Sequence, residues 1–190
     1  MRVLVSLLGM LLIVGCTSMN LDDFKGTSPK LLIEEYFQGK TEAWGVFYDR
    51  FGNLRRQFTV SIEGTWDSER KTLTLVEHFI YSDGETEQRV WTIKKSADGS
   101  YEGRADGVVG VASGRSNGRA FYWTYDFNLL VGDDTWKVRF EDWMILQDDA
   151  VMFNRATLSK LGIRLGEVSI FFRKSAPTQT SSVPVTDRAA

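Results

Sequence analysis

Apolar and polar residues alternate with a period of two through most of this chain. Phe58, Val60, Ile62, Gly64 and Trp66 take one parity, and Thr59, Ser61, Glu63 and Thr65 take the other. Phe121, Trp123, Tyr125, Phe127 and Leu129 repeat the arrangement. So do Trp136, Val138, Phe140 and Met144, with Asp142 interrupting the apolar series, and Val168, Ile170 and Phe172 close the set. Successive side chains of a strand point to opposite faces, so each run predicts a strand with one buried face. Turn-forming groups punctuate the runs: Phe51-Gly52-Asn53, Ser82-Asp83-Gly84, Asp98-Gly99-Ser100, Gly132-Asp133-Asp134, Gln147-Asp148-Asp149 and Leu161-Gly162. The spacing predicts an antiparallel meander of about eight to ten strands, and a sheet that long curls shut to remove its edges. The expected fold is therefore all-β, an up-and-down lipocalin-like barrel, with a two-sheet β-sandwich as the alternative. Proline is absent between residues 30 and 176, which suits unbroken ladders. Only Pro29 to Gln38 looks helical, and this short helix is expected to cap one mouth of the barrel.

The two ends of the chain differ from the middle. Arg2 is followed by the uncharged, mostly apolar run Val3 to Val14. A membrane-spanning helix needs about 20 such residues, so this run fits a signal-peptide core instead. It ends Ile13-Val14-Gly15-Cys16, which resembles a bacterial lipobox, and Cys16 is the only cysteine. The expectation is a signal peptide over residues 1–15, lipidation of Cys16 and an anchor-proximal linker over 16–29. The barrel domain then runs over 30–174. Thr17 follows Cys16, and Asp does not, which in Gram-negative lipoproteins implies export to the outer membrane, with the protein facing the periplasm. Each buried acyl CH₂ is worth about 0.8 kcal/mol, so several chains anchor a protein firmly. Residues 175–190 are rich in Ser, Thr and Pro and lack periodicity, so a disordered tail is expected.

Composition narrows the function classes. With 23 Lys+Arg against 25 Asp+Glu there is no electrostatic footprint for nucleic acid. A single Cys excludes an intrachain disulfide framework, and a single His excludes a His-rich metal site. A transmembrane barrel would need an apolar outer band, whereas the polar parities here carry Glu63, Lys137, Arg139 and Glu141.

Several strings, taken together with the lipobox, resemble the DUF3833 family of bacterial lipoproteins of unknown function. They are Glu35-Tyr36-Phe37-Gln38-Gly39, Ala43-Trp44-Gly45-Val46-Phe47, Asp49-Arg50, Tyr81-Ser82-Asp83-Gly84-Glu85, Arg89-Val90-Trp91, Asp142-Trp143-Met144 and Lys160-Leu161-Gly162. The resemblance covers most of residues 16–174. It implies an envelope location, a lipocalin-like β fold and, through gene neighbours that modify fatty acids, an association with lipid biology. The chain departs from the family pattern at Gly107, where relatives carry a second Asp after Asp106, so no carboxylate pair is carried over to that position. No catalytic residues come with the resemblance.

Charges on buried parities are the candidate chemistry. Glu77 shares a face with Leu73, Leu75, Phe79 and Tyr81, and Arg89 shares one with Trp91 and Ile93. A three-residue loop Ser82-Asp83-Gly84, with Gly84 in the left-handed position, sets Glu77 opposite Arg89. A buried carboxylate and guanidinium can satisfy one another with charge-assisted hydrogen bonds. Such a pair serves either as a structural register pin or as part of a polar site for a ligand head group. Asp142 is a second interior charge, and Arg119, on the parity of Phe121, Trp123 and Tyr125, is a third candidate. Arg104, Asp106, Asn154 and Arg155 stay ambiguous because glycines and bulges blur the phase. Glu77, Arg89, Trp91, Arg119, Trp123 and Asp142 form the candidate interior site, and Arg89 with Arg119 would suit an anionic head group such as a fatty-acid carboxylate. Gly103, Gly107, Gly110, Gly114 and Gly118 lack the Lys and Ser/Thr of a phosphate-binding loop and read as strand bends. His78 takes the outward parity, which removes Ser-His-Asp chemistry.

Three functions follow from these residues. The first is an anchored barrel that binds or shuttles a lipid or other apolar anion. The second is a solid-barrel scaffold docking a protein partner. The third is an enzyme on modified fatty acids, working through Asp142, Glu77 or a tyrosine. No cofactor, metal site or catalytic residue is assigned.

Overall fold

The structure is a computed structural model and describes residues 19–175. The leader, Cys16 and residues 176–190 of the expected tail lie outside the described residues. Ten antiparallel strands follow one another: β1 (Gly39–Asp49), β2 (Leu54–Asp67), β3 (Thr72–Tyr81), β4 (Thr86–Lys95), β5 (Ser100–Arg104), β6 (Val108–Asn117), β7 (Ala120–Val131), β8 (Asp134–Leu146), β9 (Val151–Lys160) and β10 (Ile163–Lys174). Each pairs with its sequence neighbours, and β1 closes on β10. The result is a closed up-and-down barrel, and the sandwich alternative is set aside. Ten strands enclose a wider interior than eight, the number at which side chains just fill a barrel or leave room for one small ligand.

Short turns enforce this topology. Between β9 and β10 the two residues Leu161 and Gly162 both take positive φ, 51° and 78°, the geometry that matches the twist of the flanking strands. Between β3 and β4, Gly84 sits at φ 87°, and the resulting register places Glu77 opposite Arg89. Glu63, Lys137, Arg139 and Glu141 lie exposed on the outer wall, as does His78.

One end of the barrel is plugged. The segment before β1 forms a single helical turn, α1 (Ile33–Tyr36), and drives Leu31, Ile33, Tyr36 and Phe37 into the core against Tyr101, Phe121, Leu73 and Leu75. Glu34 is buried with them and is held by the Lys95 ammonium and the Tyr101 hydroxyl, which donates at 2.8 Å. Gly64 of β2 must lack a side chain, because its Cβ would stand 1.8 Å from the Phe37 carbonyl oxygen. Upstream, Asn20 caps a 3₁₀ turn, Leu21–Phe24. Phe24 packs beside Trp143 on the outer wall, with ring centroids 6.2 Å apart.

Two sequence expectations are corrected here. Arg119 does not face the interior. It falls in the two-residue turn before β7, where Gly118 at φ 52° reverses the chain. Its guanidinium donates to the Ser28 carbonyl oxygen and its N–H to Thr27 Oγ1 at 3.0 Å, which fastens the N-terminal segment to the plugged end. A parity run extended one residue too far placed it inside. The glycine stretch does contain strand bends, with Gly107 and Gly110 at positive φ, but Gly103 and Gly114 are there for a different reason. They make room for the Trp123 ring, which an added Cβ would meet at 2.4 and 2.6 Å.

Candidate interior ligand site

The barrel is hollow above its plug. A cavity of about 380 Å³ opens toward the end opposite α1, within the size range of small-molecule sites. Its walls come from β1 to β4 and β7 to β10: Phe58, Val60, Phe79, Phe140, Ala156 and Ile170 among others. The aromatic lining is ordered. Tyr125 and Phe140 are direct cross-strand neighbours and stack at 5.0 Å with their planes 3° apart. Trp91 meets Tyr125 edge-on at 5.4 Å.

Four charged side chains line this apolar space: Arg56, Glu77, Arg89 and Asp142. Arg56, Glu77 and Arg89 sit on a polar ladder that runs inward along β2, β3 and β4, and Asp142 comes from β8. At the mouth, Arg56 lies over the Tyr81 ring, 3.6 Å from its centroid, and pairs with Asp83 at 2.9 Å and with Glu85. Tyr81 donates its hydroxyl to Glu87 at 2.7 Å. Glu87 in turn accepts from the Arg89 guanidinium at 2.6 Å. Arg89 also lies between the rings of Phe79 and Phe127, 5.1 and 5.3 Å from their centroids. The direct partner of Arg89 is thus Glu87, two residues away on the same strand face. Glu77 is the cross-strand neighbour of Arg89 without a salt bridge to it, so the expected bidentate pair is replaced by a longer-range attraction.

Asp142 is the least satisfied member. Its residue is only 7 % exposed, and its Oδ1 is buried with no hydrogen-bond partner. Burial first, and then the Glu77 charge, push its carboxyl up to about 8, against the pull of Tyr125 and Arg89. Burial and the Glu87 charge lift Glu77 to about 7, although Arg89 and the Trp91 indole oppose the shift. Glu77 is half-buried and lines the cavity. Burial alone would lower the pKa of Arg89, but the Glu77 and Glu87 carboxylates outweigh it and hold the guanidinium charged. Burial also carries the Tyr125 phenol well above its ordinary value. Removing charged groups from water disfavours their ionised forms unless partners compensate, and here one guanidinium serves three carboxyls.

The structure therefore brings Glu77, Arg89, Trp91 and Asp142 together around one cavity. Trp123 is interior but deeper, beside the plug, where it borders a small void of about 60 Å³. Arg119 is absent from the site. Asn154, ambiguous in sequence, is 2 % exposed, lines the cavity and donates to the Trp143 carbonyl oxygen at 3.3 Å. Arg104, Asp106 and Arg155 face outward. The contributions of Glu87, Tyr81 and Tyr125 were missed, although Glu87 shares the parity of Arg89 and Tyr125 stands in a marked apolar run. Among the described residues no cluster of three or more His, Cys, Asp or Glu side chains is placed to hold a metal ion.

Comparison with known proteins gives one family and several barrels. The family described as "Protein of unknown function (DUF3833)" matches residues 10–174. No curated protein matches the chain in sequence. Among solved structures, the S-type phycobiliprotein lyase CPES from Guillardia theta aligns with a TM-score of 0.54 at 10 % identity, covering 76 % of this chain and 92 % of its own. The odorant-binding protein OBP1 aligns at 0.38 with 13 % identity, covering 80 % of each chain. The DFHBI-bound protein EF1p2_mFAP2b aligns at 0.40 with 9 % identity, covering 74 % of this chain and 95 % of its own. At these identities the lyase supports the barrel fold and nothing finer.

Proposed function

Since the chain belongs to the DUF3833 family, whose function is not established, we propose its role from the site itself: it is a lipid-anchored envelope barrel that binds a small, largely apolar ligand of the lipid class. The observation that carries this reading is the 380 Å³ cavity, open at one end, with aromatic and aliphatic walls and a charged cluster inside. A solid scaffold has no use for such a space, and an interior filled for stability alone would not leave a carboxyl oxygen without a partner. The anchor follows from the lipobox: Cys16 becomes the acylated N-terminus, Thr17 favours the outer membrane, and the barrel stands in the periplasm. Cys16 precedes the first described residue, Met19, by only three positions. That tether holds the plugged end near the bilayer and leaves the open mouth turned away from it. Such a protein receives its ligand from the aqueous side and stores or hands it on there.

The test is native mass spectrometry of the protein purified from the envelope of its own host, followed by organic extraction. The expected result is an N-terminus at Cys16 carrying acyl chains, together with a non-covalent adduct that extraction removes. An unmodified cysteine overturns the anchor. A protein that carries no adduct and also fails to take up dodecanol in solution overturns the ligand-binding role.

A further inference from the structure

The cavity's charge balance says what kind of head group it takes. Around the cavity, β3 contributes Glu77 and Tyr81, β4 contributes Glu87 and Arg89, β7 contributes Tyr125, β8 contributes Asp142, and β2 places Arg56 at the mouth. Arg56 is already committed to Asp83 and Glu85, and Arg89 to Glu87. Two carboxyls, Glu77 and Asp142, remain without a cation of their own. One oxygen of Asp142, on a side chain more than nine-tenths buried, has no donor at all.

An anionic head group would enter a space whose two arginines are both already paired with carboxylates. It would find its one deep guanidinium engaged. A cationic donor meets the opposite situation: an unfilled acceptor, a second carboxyl nearby, and a lining that includes the rings of Phe79, Tyr125, Phe140 and Trp91, aromatic groups of the kind that attract a cation. We propose that the ligand of this cavity is an apolar molecule ending in a protonated amine, with its N–H groups donating to Asp142 and Glu77 and its hydrocarbon portion running between the aromatic walls toward the mouth. This rests on the ligand-binding reading above and deepens it.

Proton balance separates this head group from its opposite. Near neutral pH the two carboxyls hold protons in the empty barrel, because burial raises them to about 7 and about 8. An ammonium favours their ionised forms, so its binding releases protons and tightens as pH rises through that range. A carboxylate ligand favours the protonated forms and Arg89, so its binding takes protons up and tightens as pH falls.

The experiment titrates the full chain, solubilised and stripped of lipid, with three probes of equal chain length: dodecylammonium, dodecanoate and dodecanol. Intrinsic tryptophan fluorescence and calorimetry in two buffers of different ionisation enthalpy report affinity and proton release. The expected result is dodecylammonium at least about tenfold tighter than dodecanoate, a gap of about 1.4 kcal/mol. It should bind with proton release and more tightly above neutral pH than below it. Asp142→Asn, and separately Glu77→Gln should the first variant fail to fold, should each erode that preference. Dodecanoate binding as tightly as dodecylammonium or tighter overturns the proposal, and so does ammonium binding without proton release. If dodecanol and dodecanoate bind while dodecylammonium does not, the head-group assignment fails and the ligand-binding role stands. If none of the three enters, the ligand-binding role itself fails.

Discussion

Asp142→Asn should make the protein more stable at alkaline pH while changing little at acid pH. In the folded state burial lifts the Asp142 carboxyl to about 8; in the unfolded chain it titrates near about 3.9. Between those values the native state binds a proton that the unfolded state has lost. Stability therefore falls as pH rises through the window and is fully retained only below it. Each unit of difference is worth about 1.4 kcal/mol, so the whole shift sets an upper bound of about 6 kcal/mol. Glu77 and Arg89 share the same field and the cavity admits solvent, which brings a realistic contribution to about 2–4 kcal/mol between pH 5 and pH 8. Asparagine is nearly isosteric and never ionises, so the variant loses this slope. For a domain of this size the gain at about pH 8 is on the order of 5–10 °C in Tm. The assay is a series of thermal melts of both proteins from about pH 5 to about pH 9, followed by near-ultraviolet circular dichroism. A wild-type Tm that stays level over that range refutes the reasoning, as does a variant destabilised equally at every pH.

Two further outcomes concern the plugged end. Glu34→Gln removes the buried acceptor of Lys95 and Tyr101 and should cost about 1.5–3 kcal/mol in urea denaturation at neutral pH. Although burial alone would raise Glu34, the Lys95 and Tyr101 hydrogen bonds hold it below the usual carboxylate range. Its contribution is therefore present above the unfolded value and fades as the solution is acidified through the folded one; an unchanged denaturation midpoint at neutral pH would count against the plug. Gly64→Ala forces a Cβ to 1.8 Å from the Phe37 carbonyl oxygen and should cost at least about 1–3 kcal/mol, because a backbone atom cannot step aside as a side chain can. A melt indistinguishable from wild type would show that α1 is not seated against β2.

Much of the fold could be read from the chain because its determinants are local. Period-2 runs mark the buried face, and glycine or Asx groups mark the reversals. Loop length alone was enough to set Glu77 across from Arg89. The number of strands was harder to fix, because β5 has only five residues and its buried positions are Tyr101 and Gly103, the second with no side chain to mark the face. The plug was half legible. The apolar run around Leu31 and Phe37 suggested a cap, but nothing local announces that Gly64 is shaped for the Phe37 backbone, which lies 27 positions earlier in the chain. The tryptophans do not share one environment. Trp91 and Trp123 are buried, whereas Trp44 is 44 % exposed on the outer wall and Trp143 packs outside under Phe24.

The interior charge balance was the least legible feature, and the reason is specific. Parity says which face a residue takes, but it fails at the first residue beyond a strand, where the turn resets the direction of the side chain. Arg119 sits at that point, next to Gly118. Counting it inside gives two acids and two arginines, Glu77 and Asp142 against Arg89 and Arg119, and so a balanced cluster whose second guanidinium could turn to an anion. The structure removes Arg119 and brings Glu87 onto Arg89, which leaves three carboxyls around one deep guanidinium. A one-residue error in strand phase thus reverses the sign of the ligand the cavity is expected to attract. The substitution that isolates this step is Glu87→Gln: it frees Arg89 from its bonded partner, and by the same count it should shift the cavity's preference from dodecylammonium toward dodecanoate.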